Sequence, residues 1–341
     1  MVEVYLLSVN QWLRSLTLAG AVLSNPGREV CFVDPQLMEQ EIEALNILNA
    51  RFSVSLIDAT GSDAVATALS RANIPFRLSV LEESIKWKDL VEEFGRPRGL
   101  VAAPADSRSL CLKAAALAVR LGYYFLPFND TFWDRGIMLE GIPLIWLGPR
   151  ETLVGIAGDD AAGSFTSIHD DEELLGFLRE AEMPADYLLI LNSADLEKDT
   201  ARGSCLGELW VKGLSLNAPA LAAYRDIFIF DAESGAPEAE KIETAANEMI
   251  NRIGLKPRFQ AVLASPAAVP FFYEEKKAIG AVTEEMVRDI HVRLNDDLFF
   301  DLAEGRLMQN NPGGLSVQLI STRRYGEIKK SCRGRSWVIK R

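Results

Sequence analysis

The sequence predicts an α/β protein built from tandem Rossmann-like or flavodoxin-like parallel-sheet units with an internal duplication. Three observations carry this. Short apolar runs alternate with helical patterns from the first residues onward, as in a parallel sheet covered on both faces. Leu100–Asp106 lines up with Leu189–Asp195, each an apolar run that exits through Ala-Asp. Each copy then continues into a helix of small residues, Leu110–Ala118 or Leu214–Ala222.

In chain order, strands are expected at Val2–Ser8, Glu29–Val33, Val54–Ile57, Phe76–Val80 and Leu100–Ala103. Each is a short run rich in apolar residues and looks like a buried strand. Gln36–Asn49 and Ser62–Ala72 carry helical periodicity between them. Aromatic-rich strands are expected at Tyr123–Phe128 and Ile227–Phe230, after the two small-residue helices, and further strands at Pro143–Leu147, Tyr187–Leu191 and Gln260–Leu263. The two copies differ by 15 extra residues between Leu196 and Gly213. Glu233–Glu238 mixes turn formers with acids and reads as a linker, and Ala239–Arg252 as an amphipathic helix. The expected organisation is an α/β unit over 1–130, a second over 131–233 repeating part of the first, a third over 239–325, and a basic tail over 326–341.

Composition narrows the functional classes. The chain has 341 residues, 48% of them hydrophobic, and a mean hydropathy of +0.06, ordinary values for a folded globular chain. No run approaches the ~18 apolar residues of a membrane span. The N-terminus carries Glu3 where a signal peptide carries basic residues, so none is expected and the cytoplasm is the default compartment. Net charge is −12, which argues against nucleic acid as a partner. The charge is uneven: Thr322–Arg341 holds eight basic residues against Glu327, a segment of +7, which leaves −19 for the rest. Cys31, Cys111, Cys205 and Cys332 lie far apart, without the spacing of a disulfide framework or a zinc ribbon.

Several constellations invite chemistry. Asp106 and Asp195, with Asn192, sit just past strand ends, where open α/β sheets form their ligand crevice; the same positions suit helix caps and turns. Because the insertion breaks the symmetry, a site would be built on the second copy. Gly203-Ser204-Cys205-Leu206-Gly207 has the outline of a nucleophile elbow around Cys205. Its nearest expected strand ends at Leu191, and neither His169 nor His291 lies in a motif for a base, so a glycine-rich loop is the favoured reading. Asn295, Asp296, Asp297 and Asp301 form an oxygen-rich cluster that would suit calcium, which takes about six to eight oxygens; the EF-hand glycine and final glutamate are missing. His169 leads into Asp170-Asp171-Glu172-Glu173, an acidic run expected to start a helix. Gly158–Gly163 carries two adjacent acids and would repel a phosphate. No cofactor signature is present.

Ala261–Phe272, Asp289–Asp297 and Asp301–Leu307, followed by an expected helix over Ser316–Tyr325, resemble segments of the gingipain-type cysteine peptidases. The resemblance covers 259–325 and implies a caspase-like fold for that block. In that family the catalytic His-Gly and Cys lie well downstream, whereas sixteen residues follow Tyr325 here, and no His follows Cys332. The resemblance therefore implies a non-catalytic front part of such a protein, or a relative lacking the dyad, and an extracellular setting. Residues 100–230 are more distantly similar to bacterial cell-wall-binding repeats. Two functions follow as expectations. One is a non-catalytic binding or scaffold module, partnered by a protein, a glycan or a later domain. The other is a small-molecule enzyme of the hydrolase or transferase type, with its site near Asp106, Asp195 and Cys205.

Overall fold

The computed structural model describes residues 2–79, 87–128, 141–152, 165–201, 210–232, 239–257, 259–264 and 316–319. Its strands are β1 (Val2–Ser8), β2 (Arg28–Val33), β3 (Val54–Asp58), β4 (Phe76–Leu78), β5 (Leu100–Pro104), β6 (Tyr124–Phe128), β7 (Leu144–Leu147), β8 (Thr166–Ile168), β9 (Tyr187–Leu191), β10 (Ile227–Asp231), β11 (Phe259–Leu263) and β12 (Ser316–Leu319). Its α-helices are α1 (Trp12–Leu23), α2 (Met38–Arg51), α3 (Asp63–Arg71), α4 (Trp87–Phe94), α5 (Arg108–Leu121), α6 (Asp171–Glu180), α7 (Ala218–Ala222) and α8 (Ala239–Ile253).

Among the described residues the strands form three four-stranded sheets, and every strand pair is parallel. Their orders are β2-β1-β3-β4, β6-β5-β7-β8 and β10-β9-β11-β12. Each sheet thus places its strands as second, first, third, fourth. The duplication seen in the sequence is part of a triplication, in which Val2–Leu78 is the unrecognised first member. Both expected copies fold alike: strand, turn, helical segment and a parallel neighbouring strand, with Leu100 opposite Tyr124 and Leu189 opposite Ile229.

Two compact units contain these sheets. One comprises Met1–Glu182 with Leu216–Arg225, the other Met183–Ser215 with Asp226–Arg341. In the first unit, Val4, Leu6, Cys31, Val33 and Leu56 turn one sheet face toward Met38 and Leu45 of α2 and Val65 and Leu69 of α3. Helix α1 packs on β6, α5 and α7. There the small residues have a visible purpose: a Cβ built on Gly20 would lie 3.0 Å from the Phe125 Cβ, so glycine allows the close approach. Ala114, Ala115, Ala118 and Ala218 are buried in the same helix cluster. In the second unit Leu188–Leu191, Ile227–Ile229 and Leu263 are buried, as are Ala246, Met249, Ile250 and Ile253 of α8.

Local signals place the helix ends. Ser107 Oγ accepts from the Leu110 N–H at the start of α5, and Gly122 ends that helix at φ +67°, the left-handed conformation glycine adopts freely. Asp170 accepts from the N–H groups of Glu172 and Glu173, so the acidic run does start a helix. One expectation is corrected. Ser316–Leu319 is a strand, because Ser-Val-Gln-Leu pairs in parallel with β11, Phe259 opposite Ser316; a helix cannot begin there. Among the described residues, no helix is long and apolar enough to cross a membrane.

Candidate functional site

Parallel sheets gather their loops at the carboxyl ends of the strands, so the three strand-exit edges are the places to seek a site. They are built differently.

At the first edge, β1 ends in Ser8 and β3 in Asp58. The sheet order puts the topological switch point between these two strands. Asp58 is wholly buried; its Oδ1 accepts from the Thr60 N–H at 3.0 Å and the Thr60 hydroxyl at 2.7 Å. Its Oδ2 is buried with no hydrogen-bond partner. Burial raises the Asp58 pKa, against the Thr60 hydrogen bonds and the Arg14 charge. Arg14, on the first turn of α1, is 6% exposed. Its Nη1 donates to the carbonyls of Ala59 at 3.0 Å and Thr60 at 3.2 Å, and to Gln11 Oε1 at 3.2 Å.

At the third edge, Asn192, Ser193, Asp195 and Ser215 are all fully buried. Asn192 Oδ1 accepts from the Ala194 N–H at 3.1 Å. Asp195 Oδ2 accepts from the Ser215 N–H at 2.9 Å; the single proton of the Ser215 hydroxyl is shared between Asp195 Oδ2 at 3.0 Å and the Asn192 carbonyl at 3.1 Å, and the Asp195 carbonyl accepts from the Gly213 N–H. Asp195 thereby closes the base of the insertion and caps the helical turn Leu214–Asn217 across it. Asp231 Oδ1, at the end of β10, accepts from the Ser193 N–H.

The second edge is mostly apolar. Pro104, Phe128, Leu147 and Ile168 are buried at the ends of its four strands. Asp106 is exposed, in the turn before α5. His169 is also exposed; its Nδ1 lies 2.9 Å from the Gly148 carbonyl, where only a donor N–H makes a bond. Burial pushes the Cys111 thiol far above its usual pKa, so it is a structural thiol and not a nucleophile.

One contact recurs at all three edges. A side chain from the helical segment after the first strand donates back to a carbonyl at that strand's exit: Ser15 to Ser8 at 2.6 Å, Cys111 to Pro104 at 3.2 Å, Ser215 to Asn192 at 3.1 Å. By this measure Pro104 corresponds to Asn192. Asp195 then corresponds to Ser107, the cap of α5, and Asp106 to Ala194. The two Ala-Asp pairs are thus one residue out of register, which corrects their sequence alignment.

The structure brings Asn192 and Asp195 together and leaves Asp106 on another edge, in the other unit. Cys205 and the candidate calcium residues Asp296, Asp297 and Asp301 lie outside the described residues, as do His291 and Gly158–Gly163. Among the described residues, no group of three or more His, Cys, Asp or Glu side chains could hold a metal. Sequence reasoning missed Arg14, Asp58, Thr60 and Ser215. A signal existed for two of them: Asp58-Ala59-Thr60-Gly61 directly follows an apolar strand and has the composition of a polar exit turn.

No family model matches the chain, and no curated protein matches it. A solved LacI transcriptional regulator from Lactobacillus brevis matches with 11% identity, over 94% of this chain and 97% of that one, at a TM-score of 0.18. A score of that size carries no structural argument. The fold rests on the strand order above.

Proposed function

We infer that the chain is a non-catalytic binding or scaffold module whose partner is a protein, a glycan or a further domain of the same polypeptide. The observation that carries this reading is the recurrent bond at the three strand exits. The helical segment after each first strand is where such folds receive a phosphate or expose a nucleophile. Here its small polar side chain bonds to the protein's own backbone at each edge. Asn192 and Asp195 are likewise engaged by Ala194 and Ser215. The reading also draws on the resemblance of 259–325 to gingipain-type peptidases. Calcium held by Asp296, Asp297 and Asp301 would be structural in this scheme.

Site-resolved thiol labelling tests the reading against a Cys205 nucleophile. An alkylating probe at about pH 7 should modify Cys205 no faster than a short peptide containing Gly203–Gly207, because an ordinary thiol is mostly protonated there. Labelling about 100-fold faster than the peptide would mean an activated thiolate and overturn the non-catalytic assignment.

A further inference from the structure

We propose that Arg14 and Asp58 form a proton-controlled latch across the switch point of the first sheet. The proposal goes beyond the scaffold reading and stands on the geometry of this edge.

Helix α1 leaves β1, whereas α2 and α3 cover the sheet face bearing Val4, Leu6 and Leu56. Right-handed crossovers put α1 on the opposite face, so the connections diverge at the switch point between the exits of β1 and β3. Arg14 bridges that switch point. One guanidinium nitrogen holds two successive carbonyls, Ala59 and Thr60, 45 and 46 residues further along the chain. Asp58, directly before them, is sealed from water, and one of its oxygens has no hydrogen-bond donor.

A bare carboxylate oxygen without a donor in such a place is costly, whereas the protonated acid is much less so. The neighbours opposite Asp58 in the sheet are Leu6 on β1 and Leu78 on β4, which carry no charge. Thr60 supplies two neutral donors, and Arg14 from α1 is the charge that bears on it. While Asp58 holds its proton, Arg14 stays on the carbonyls and the Ala59–Gly61 turn is strapped to α1. When the proton leaves to solvent, the new anion competes with those carbonyls for the guanidinium, and the turn is released. The sign follows from the raised pKa: this group's stabilising contribution is full in acid and lost as the pH rises through its folded value.

Hydrogen–deuterium exchange on the full chain, corrected for intrinsic pH dependence, reads the latch directly. Across a titration from about pH 3 to about pH 9, protection of the Ala59–Ser62 amides should fall about tenfold as Asp58 ionises, while Val101–Ala103 on β5 stays unchanged. Asp58→Asn, which cannot ionise, should keep the turn protected throughout. Arg14→Gln should leave it poorly protected at every pH. A flat wild-type profile overturns the latch, as does an unchanged pH response in either variant. Should Asp58→Asn not fold, the wild-type and Arg14→Gln profiles decide the matter alone.

Discussion

The second and third sheets share a strand order, a parallel register and the bond from helix to strand exit, yet their edges differ in kind. At the third edge four polar side chains are completely buried; those of Asn192, Asp195 and Ser215 are bonded around the insertion, while the Ser193 hydroxyl has no hydrogen-bond partner. At the second, the strand ends are apolar; Asp106 and His169 are exposed, the Cys111 thiol is buried against the Pro104 carbonyl, and Lys113 pairs with Asp171 at 2.6 Å. Topology therefore does not dictate the chemistry of a strand exit; the connection that leaves it does. A short turn into α5 needs one Ser107 cap. The insertion, 16 residues long on the corrected register, needs Asp195 to hold its two ends together.

The contrast makes graded predictions. Asp195→Ala strips the acceptor from the buried Ser215 N–H and leaves the hydroxyl with the Asn192 carbonyl alone, and should cost about 2–4 kcal/mol in chemical denaturation. A cost below about 1 kcal/mol would mean that the insertion closes without it. Ser15→Ala removes the bond to the Ser8 carbonyl, with an expected loss of about 1–2 kcal/mol by the same measurement. Cys111→Ser exchanges the second edge's thiol for the hydroxyl used at the other two, and should change stability by less than about 1 kcal/mol. Asp106→Ala, on the surface, should stay within about 0.5 kcal/mol of the parent; a larger loss would give the second edge a hidden polar role.

Much of the architecture was legible because buried parallel strands are written as continuous apolar runs. Val2–Ser8 and Tyr187–Leu191 are found where the sequence places them, and Leu100–Ala103 extends by Pro104 alone. What was illegible depended on partners. The strand Thr166–Ile168 is three residues long and is recognisable through its pairing with β7. Helix α1 hid behind Arg14, which reads as a charge breaking an apolar stretch; in the fold it is buried because carbonyls 45 and 46 residues away receive it. The first repeat escaped notice for a related reason. It lacks the Ala-Asp exit, and what it shares with the others is a donor, Ser15 here but Cys111 in the second repeat, whose acceptor lies upstream in the chain. The Ala-Asp pair itself guided the eye to the right loops and matched the wrong residues.

The repeated strand order also bears on synthesis. In each sheet the strand that leaves the ribosome first is an inner one, flanked later by its second and third strands. For β1 that wait ends at Asp58. For β9, the hydrophobic Tyr187–Leu191 run has one side unpaired until Phe259–Leu263 has been made. The nascent chain thus carries a sticky edge for longest at Tyr187–Leu191, and a chaperone should find its binding site there.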